Sequence, residues 1–254
     1  MKKINKYKII RIIAGVVFAI SFCCWGYTKL LYLDADVTYK DLAKKAVTVS
    51  QQQPEPETAE NGEAVQAVPD DPMLDIDREQ LLDVNHDYIC WLSACGNNIS
   101  YPVVRGRDNN EYLHRTFFGD NSFVGSIFID HRCYVEDFFT IIYGHSMKDR
   151  TMFRLIADYT NRDMVRKYPY FYIYSGSERQ RYEIYSVCDI DARELVTAIG
   201  VPDEEQKAQF ISQLKEKSLY TVGEEPTTQD KFVSLVTCDV RNDKKRIVVT
   251  GIRR

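Results

Sequence analysis

Histidine is scarce in this chain, and its cysteines show no evident framework of pairs. Only 4 histidines occur, and none stands beside cysteines or carboxylates at the spacing of a structural zinc site. The 7 cysteines are an odd number. Cys23 and Cys24 fall in an apolar N-terminal run, which leaves Cys90, Cys95, Cys133, Cys188 and Cys238. Cys90 and Cys95 could form a bridge, but their loop is short and nothing else pairs obviously, so thiols are expected. No basic stripe exists beyond the first residues. With a net charge of −4, the chain carries no electrostatic footprint for nucleic acid. It has no internal repeat, and no cofactor is expected.

Long apolar stretches are also scarce, with one exception. Lys2, Lys3, Lys6, Lys8 and Arg11 precede an uncharged stretch from Ile12 to Thr28, which Lys29 closes. That is near the short end of a membrane-spanning helix, and a flanking lysine can snorkel to the interface. The basic side stays cytoplasmic, so the bulk of the chain is expected outside. A cleaved leader would need small residues after the apolar core, where Ser21-Phe22-Cys23-Cys24-Trp25 is bulky. Lipoprotein processing fits poorly because Phe22 precedes Cys23. Residues 1–33 are therefore expected to form a basic tail and an uncleaved, single-pass anchor in the cell membrane.

Asp34 to Lys45 could extend as a polar helix. From Gln51 to Pro72 the chain is proline-bearing, acidic and nearly free of large apolar residues. Such a segment cannot bury enough surface to offset its ordering entropy, so 34–73 is expected as a flexible acidic tether. Residues 74–254 are one domain's worth of chain.

Within that domain the pattern is mostly β with helices. A short helix is expected over Asp77 to Asn85, then a strand from Tyr88 to Leu92. The turn signal Gly96-Asn97-Asn98 precedes a strand around Ile99 to Val104. Further strands are expected at Gly125 to Ile129, Phe139 to Tyr143, Phe171 to Tyr174 and Tyr182 to Cys188. Met152, Leu155, Ile156 and Tyr159 have helical spacing, which predicts a helix over Thr151 to Tyr159. Asp203 to Lys217 predicts another, with Glu204 and Glu205 favouring its N-terminus and Lys215 and Lys217 its C-terminus. Phe210, Ile211 and Leu214 would form its buried stripe.

The chemistry-bearing residues cluster at strand ends. Ser234-Leu235-Val236-Thr237-Cys238 runs into a polar turn, and Lys245-Arg246-Ile247-Val248-Val249-Thr250 returns from it. This spacing suits two antiparallel strands with thiol and guanidinium at one end of the sheet. Another strand-like run ends at His145. A free thiol, with a pKa of about 8.5, is only slightly ionised at neutral pH and benefits from a nearby base or cation. Histidine can take the thiol proton and later return it to a leaving amine. Arginine stays protonated and can stabilise a tetrahedral oxyanion. A lone cysteine in an apolar strand is more often a small core residue; the arginine and the strand-end histidine weigh against that reading here.

Two other readings of the same residues are weaker. His131 and Cys133 form a rival pair, but they share what reads as a loop and lack an arginine strand. His86 and His114 read as surface or helix-cap residues. A phosphatase would place arginine where Lys244 stands, and no phosphate-cradling glycines follow Cys238.

Tyr143-Gly144-His145, followed by Met152-Phe153, resembles the histidine motif of the sortases of class B. Leu235-x-Thr237-Cys238 and Arg246-Ile247-Val248-Val249 are similar to that class's cysteine and arginine strands. Tyr101-Pro102-Val103-Val104, Asp108-Asn109, Tyr112-Leu113 and Gly125-Ser126-Ile127-Phe128-x-Asp130 are similar to its upstream blocks, in the same order. The resemblance runs from about Leu74 to the C-terminus. One departure is Val236, where many members carry serine. The resemblance implies an eight-stranded β-barrel with an N-terminal helical segment and a long helix before the cysteine strand. It implies a transpeptidase that cuts an LPXTG-like C-terminal sorting signal of a surface protein after threonine. The threonyl carbonyl would then pass to an amine of a peptidoglycan precursor or a pilin. Cys238 would be nucleophile, His145 general acid/base and Arg246 oxyanion stabiliser, with Thr237, Asn109, Tyr143 and Val236 along the peptide groove. A catalytically silent, tethered binding domain and a hydrolytic cysteine peptidase on the same fold are the alternatives.

Overall fold

A computed structural model of the chain describes residues 6–49, 73–195, 197–239 and 242–254, with only the backbone described at some positions, Cys238 among them. Residues 50–72, most of the expected tether, and the first basic residues lie outside it. The chain divides into two compact units, Met1–Asp41 and Leu42–Arg254.

The first unit is helical. The helix α1 (Lys6–Ala46) has 41 residues, so it is roughly 60 Å long at 1.5 Å per residue. It includes one stretch, Ile10–Tyr27, long and apolar enough to cross a membrane. Ile12, Ile13, Phe18, Phe22 and Trp25 are all exposed along it.

The second unit begins with the last residues of α1, from Leu42 to Ala46, followed by the strands β1 (Val47–Val49) and β2 (Leu74–Ile76), which pair antiparallel. The helix α2 (Arg78–Val84) follows, started by the Asp77 side chain accepting from the Gln80 N–H. That bond satisfies one of the orphan donors of a first helical turn. Leu81 is its buried contact. The remaining elements in chain order are β3 (Tyr88–Ala94), β4 (Ile99–Val104), β5 (Ile127–Ile129), β6 (Phe139–Gly144), α3 (Arg162–Lys167), β7 (Tyr170–Ser175), β8 (Glu178–Asp191), α4 (Glu204–Lys217), β9 (Tyr220–Thr221), β10 (Phe232–Asp239) and β11 (Asn242–Arg253).

These strands join in the order β11-β10-β6-β5-β4-β3-β7-β8-β9, and β11 pairs with β8 as well. That extra pairing closes eight strands into a barrel, with β9 attached as an additional strand on β8. Closure removes the unpaired edges that an open sheet of this size would present. The expected closed barrel is therefore present. Strands are longer than the sequence pattern predicts at β3 and β8. At β5 the strand is shorter, because Gly125 has a φ of +63° and turns the chain before Ile127.

Two pairings of β10 matter for the site, one parallel and one antiparallel. β10 runs parallel to β6 with Val236 opposite Tyr143 and Thr237 opposite Gly144. β11 runs antiparallel to β10 with Cys238 opposite Arg246. The C-terminal ends of β6 and β10 and the start of β11 thus share one rim of the barrel.

The long helix before the cysteine strand is α4. Asp203 and Gln206 form a reciprocal capping box at its start. Phe210 and Leu214 are buried, and Phe210 lies 4.7 Å from Phe139 and 5.3 Å from Phe232, ring centre to ring centre. Burying a side chain of this size contributes roughly 1.5–3 kcal/mol. This packing fixes α4 on the outside of β6 and β10, the two strands that lead to the rim.

The helix expected over Thr151 to Tyr159 is instead a series of tight turns ending in a 3-10 helix, Ile156–Thr160. Arg150 and Met152 have φ of 72° and 54°, which no helix accommodates. The Phe153 N–H reaches back to the His145 carbonyl at 2.8 Å. Met152, Ile156 and Tyr159 are buried all the same, because turns of the i→i+3 type bring three-apart residues onto one side much as a helix does.

Candidate active site

His145 follows directly on β6, one residue beyond the last registered pair of that strand with β10. Gly144 is the condition for that approach. A Cβ built there would lie 2.5 Å from Ile127 Cδ1 and 2.6 Å from Phe153 Cγ, so only glycine fits. After His145 the chain folds back through a bridge between Ser146 and Met152, and Phe153 returns over Gly144. The tyrosine-glycine-histidine and methionine-phenylalanine parts of the motif are thus two sides of one closed loop.

The imidazole is half-buried, and its Nε2 lies 2.8 Å from the carbonyl oxygen of Leu113. A carbonyl only accepts, so Nε2 carries the proton and donates it, leaving Nδ1 as the ring atom with a free lone pair. Burial pushes the His145 pKa down, the Leu113 carbonyl opposes this, and the neighbouring His114 and Arg246 lower it further. A neutral ring at neutral pH is the result. His114, exposed, stacks on His145 with ring centres 5.9 Å apart and planes 21° apart.

The Leu113 carbonyl is itself held in place. Gly125 lies against it, so close that a Cβ would stand 2.5 Å from the oxygen, and the Ser126 N–H donates to the Tyr112 carbonyl at 3.0 Å. The backbone that holds the histidine is therefore pinned to the turn before β5.

Arg246 lies near the start of β11, opposite Cys238 on one side and Ile190 of β8 on the other. Its guanidinium donates to the Lys245 carbonyl at 3.0 Å. The β10–β11 register shifts between Cys238 and Asp239. Irregularities of that kind turn a strand at the place where pairing ends.

A groove of about 260 Å³ opens on this rim, lined by Asn109, Leu113, Phe128, Tyr143, Gly144, His145, Val236, Thr237 and Arg246. Six of the sequence-predicted residues, His145, Arg246, Thr237, Asn109, Tyr143 and Val236, thus come together in one place. Cys238 follows Thr237 on the same strand at the same rim. Among the described residues the Thr237 hydroxyl is buried there without a hydrogen-bond partner, an arrangement that costs about 1–3 kcal/mol unless something supplies the bond.

The rival pair does not assemble. Cys133 is fully buried, with its thiol pushed up to about 11, chiefly by burial. The His131 ring lies instead against Asn109, its Nδ1 3.2 Å from the amide oxygen that also accepts the His131 backbone N–H. Cys90, Cys95, Cys133 and Cys188 are all buried thiols. Sequence reasoning assigned no role to Leu113, His114 or Phe128. A backbone carbonyl carries no side-chain signal, and His114 was read as a surface residue, which its exposure matches but its contact exceeds.

Comparison with known proteins agrees with this geometry. Residues 92–253 match the sortase domain family. Sortase B of Listeria monocytogenes is 32% identical over 181 residues, covering 68% of this chain and 74% of that protein. The crystal structure of Clostridium perfringens sortase B superposes with a TM-score of 0.66 at 31% identity, covering 69% of this chain and 98% of that one. A Streptococcus pyogenes class B sortase involved in pilus biogenesis gives 0.61 at 28% identity, covering 69% and 97%.

Proposed function

We propose, starting from a chain that belongs to the sortase family, and within it to the class B cysteine transpeptidases, that Cys238, His145 and Arg246 are its catalytic residues. The observation that carries this reading is the pair of registers Thr237–Gly144 and Cys238–Arg246, which end three separated sequence segments on one barrel rim.

In the proposed cycle the Cys238 sulfur attacks the threonyl carbonyl of a sorting signal. The oxyanion is stabilised by the Arg246 guanidinium. His145, through Nδ1, handles the thiol proton and delivers it to the departing amine. A thioester between Cys238 and the threonyl carbonyl remains. An incoming amine attacks it, loses a proton, and frees the thiol. Asn109, Tyr143, Val236 and Thr237 line the groove for the signal, which we take to be LPXTG-like in having a scissile threonyl bond. Val236 offers no hydroxyl to it, so this wall of the groove is apolar.

The donor is a surface protein with such a C-terminal signal, and the acceptor is an amine of a peptidoglycan precursor or a pilin lysine. We place the barrel outside a cell membrane that α1 crosses once, with Lys2, Lys3, Lys6 and Lys8 on the cytoplasmic side. Protease added to wall-stripped cells should then digest the barrel. A released protein with a new N-terminus between Ser21 and Tyr32 would overturn that topology.

The function is tested with a quenched peptide set that fixes threonine and varies its neighbours, read by mass spectrometry with and without added amines. Cleavage after threonine with amine adducts supports the transpeptidase. Release of free acid alone in the presence of amines would make it a hydrolase, and no cleavage of any peptide would favour a binding domain.

A further inference from the structure

The buried carboxylate next to the groove has no part in the cycle above, yet it holds two of the groove's walls. Asp130 stands at the end of β5 with its side chain fully inaccessible. Its Oδ1 accepts the backbone N–H of Arg132 at 3.1 Å and its Nε at 2.9 Å. Oδ2 accepts Arg132 Nη2 at 2.8 Å, Asn109 Nδ2 at 2.9 Å and, more distantly, the Tyr143 hydroxyl at 3.4 Å. Every acceptor position of the carboxylate is used.

Asn109 is oriented by the same contacts. Its Oδ1 accepts the His131 N–H at 2.9 Å, with His131 Nδ1 at 3.2 Å from the same oxygen. One Nδ2 proton goes to Asp130. The amide therefore cannot turn over, because turning would set its oxygen against the carboxylate and its N–H₂ against the His131 N–H. A single N–H remains for the groove that Asn109 lines.

We propose that Asp130 is a positioning residue for peptide recognition: it locks the Asn109 amide so that the groove meets the substrate with a donor, which selects a carbonyl oxygen of the bound peptide. This rests on the reading of the groove as the sorting-signal site. Arg132 makes the arrangement possible, since a buried carboxylate without a cation would be too costly to keep ionised. The placement also explains why a carboxylate, and not an amide, is needed here. Asn in its place would turn an N–H₂ towards either Arg132 or Asn109, both donors.

The test is a double-mutant cycle on full-length enzyme in detergent, using the best-cleaved member of the threonine peptide set. Asp130→Asn should raise KM about tenfold, the effect of one lost well-aligned hydrogen bond, with a smaller change in kcat. Asn109→Ala should give a similar rise, and Asp130→Asn added to it should do little more. Alkylation of Cys238 by iodoacetamide should proceed at the wild-type rate in all of them. Unchanged KM in Asp130→Asn, or fully additive losses, would overturn the proposal.

A second measurement needs neither turnover nor a variant that folds. In the wild-type enzyme, one side-chain N–H of Asn109 should exchange slowly with solvent while its geminal partner exchanges fast. Equal fast exchange of both would sink the locked amide. If wild-type enzyme cleaves no peptide, the functional reading fails, while the exchange rates still decide whether Asp130 holds Asn109.

Discussion

Phe153 closes over the α-carbon of Gly144: a methyl group at 144 would lie 2.6 Å from the Phe153 ring and 2.5 Å from Ile127. Both contacts are with packed, buried side chains. Gly144→Ala is therefore expected to lose about 1–3 kcal/mol, the usual cost of overpacking. It should also lose turnover beyond that, because the loop that moves carries His145. Thermal melting and peptide cleavage, measured together, check this; a variant with wild-type turnover would mean that the loop does not set the histidine.

Cys238 should be the one barrel thiol that forms an acyl-enzyme. Cys90 and Cys133 are buried with thiols pushed up to about 12 and about 11, chiefly by loss of solvent, and Cys188 is raised for the same first reason. Cys238→Ala should abolish cleavage, while Cys188→Ala should keep the chemistry. Trapping the intermediate and mapping it by mass spectrometry tests the assignment. An acyl group on any other cysteine would refute it.

Arginine at 246 is expected to act through its planar fork and not through charge alone. Lysine keeps the charge but misplaces the donors. Losing one oxyanion donor typically costs ~10²–10³-fold in turnover, so Arg246→Lys should fall markedly and Arg246→Ala at least as far. Near wild-type turnover in the lysine variant would reduce the residue to a local cation.

The pH profile should show the lowered His145 value. Because burial and the adjacent His114 and Arg246 disfavour the imidazolium, the midpoint of protonation should lie below the ordinary value of 6.5. The acid limb of kcat/KM is accordingly expected below that pH. His114→Gln removes one contributor, so its limb should move up. A limb at or above 6.5 in wild type would contradict the buried, neutral ring.

Asp130 carries an acid-stability prediction. Burial alone would raise its carboxyl, but the hydrogen bonds from Arg132 and Asn109 outweigh this and hold it at about 2, against 3.8 in the unfolded chain. A carboxyl depressed on folding contributes stability that is present above pH 3.8 and lost as pH falls through about 2. The size is about 2 kcal/mol. Denaturant unfolding at pH 7 and pH 2 should show a smaller drop for Asp130→Asn than for wild type; equal drops would be incompatible with the depressed value.

Much of the barrel was legible because its strands are β-branched or aromatic runs that end at turns. Residues 232–239 and 246–250 are of this kind, and they carry the cysteine and the arginine. The helix α4 was legible from the acidic Glu204 and Glu205 at its start and the basic Lys215 and Lys217 at its end, although its capping box of Asp203 and Gln206 was not read. The turns after His145 were not legible, since Met152, Ile156 and Tyr159 satisfy helical spacing equally well. What decides against a helix there is the return of Phe153 to Gly144, a contact that spacing does not encode. Leu113 was missed at the site because its contribution is a carbonyl oxygen, which every residue but its conformation shares. Asp130 was visible as part of a motif block, but Tyr143 becomes its neighbour only through the β5–β6 pairing, and Asn109 only through the folding of the segment between β4 and β5.

The last strand has a consequence in time as well as in space. β11 pairs with both β10 and β8, so it is the stave that closes the barrel, and it follows the other seven staves in chain order. Before it arrives, β10 lacks one neighbour and Cys238 has no Arg246 across from it. Parallel strands far apart in sequence, such as β6 and β10, also pair late, because a long loop must close before any contact rewards it. A chain that has not yet gained β11 therefore holds its thiol without a finished site around it. On the proposed assignment, competence arrives with that one strand.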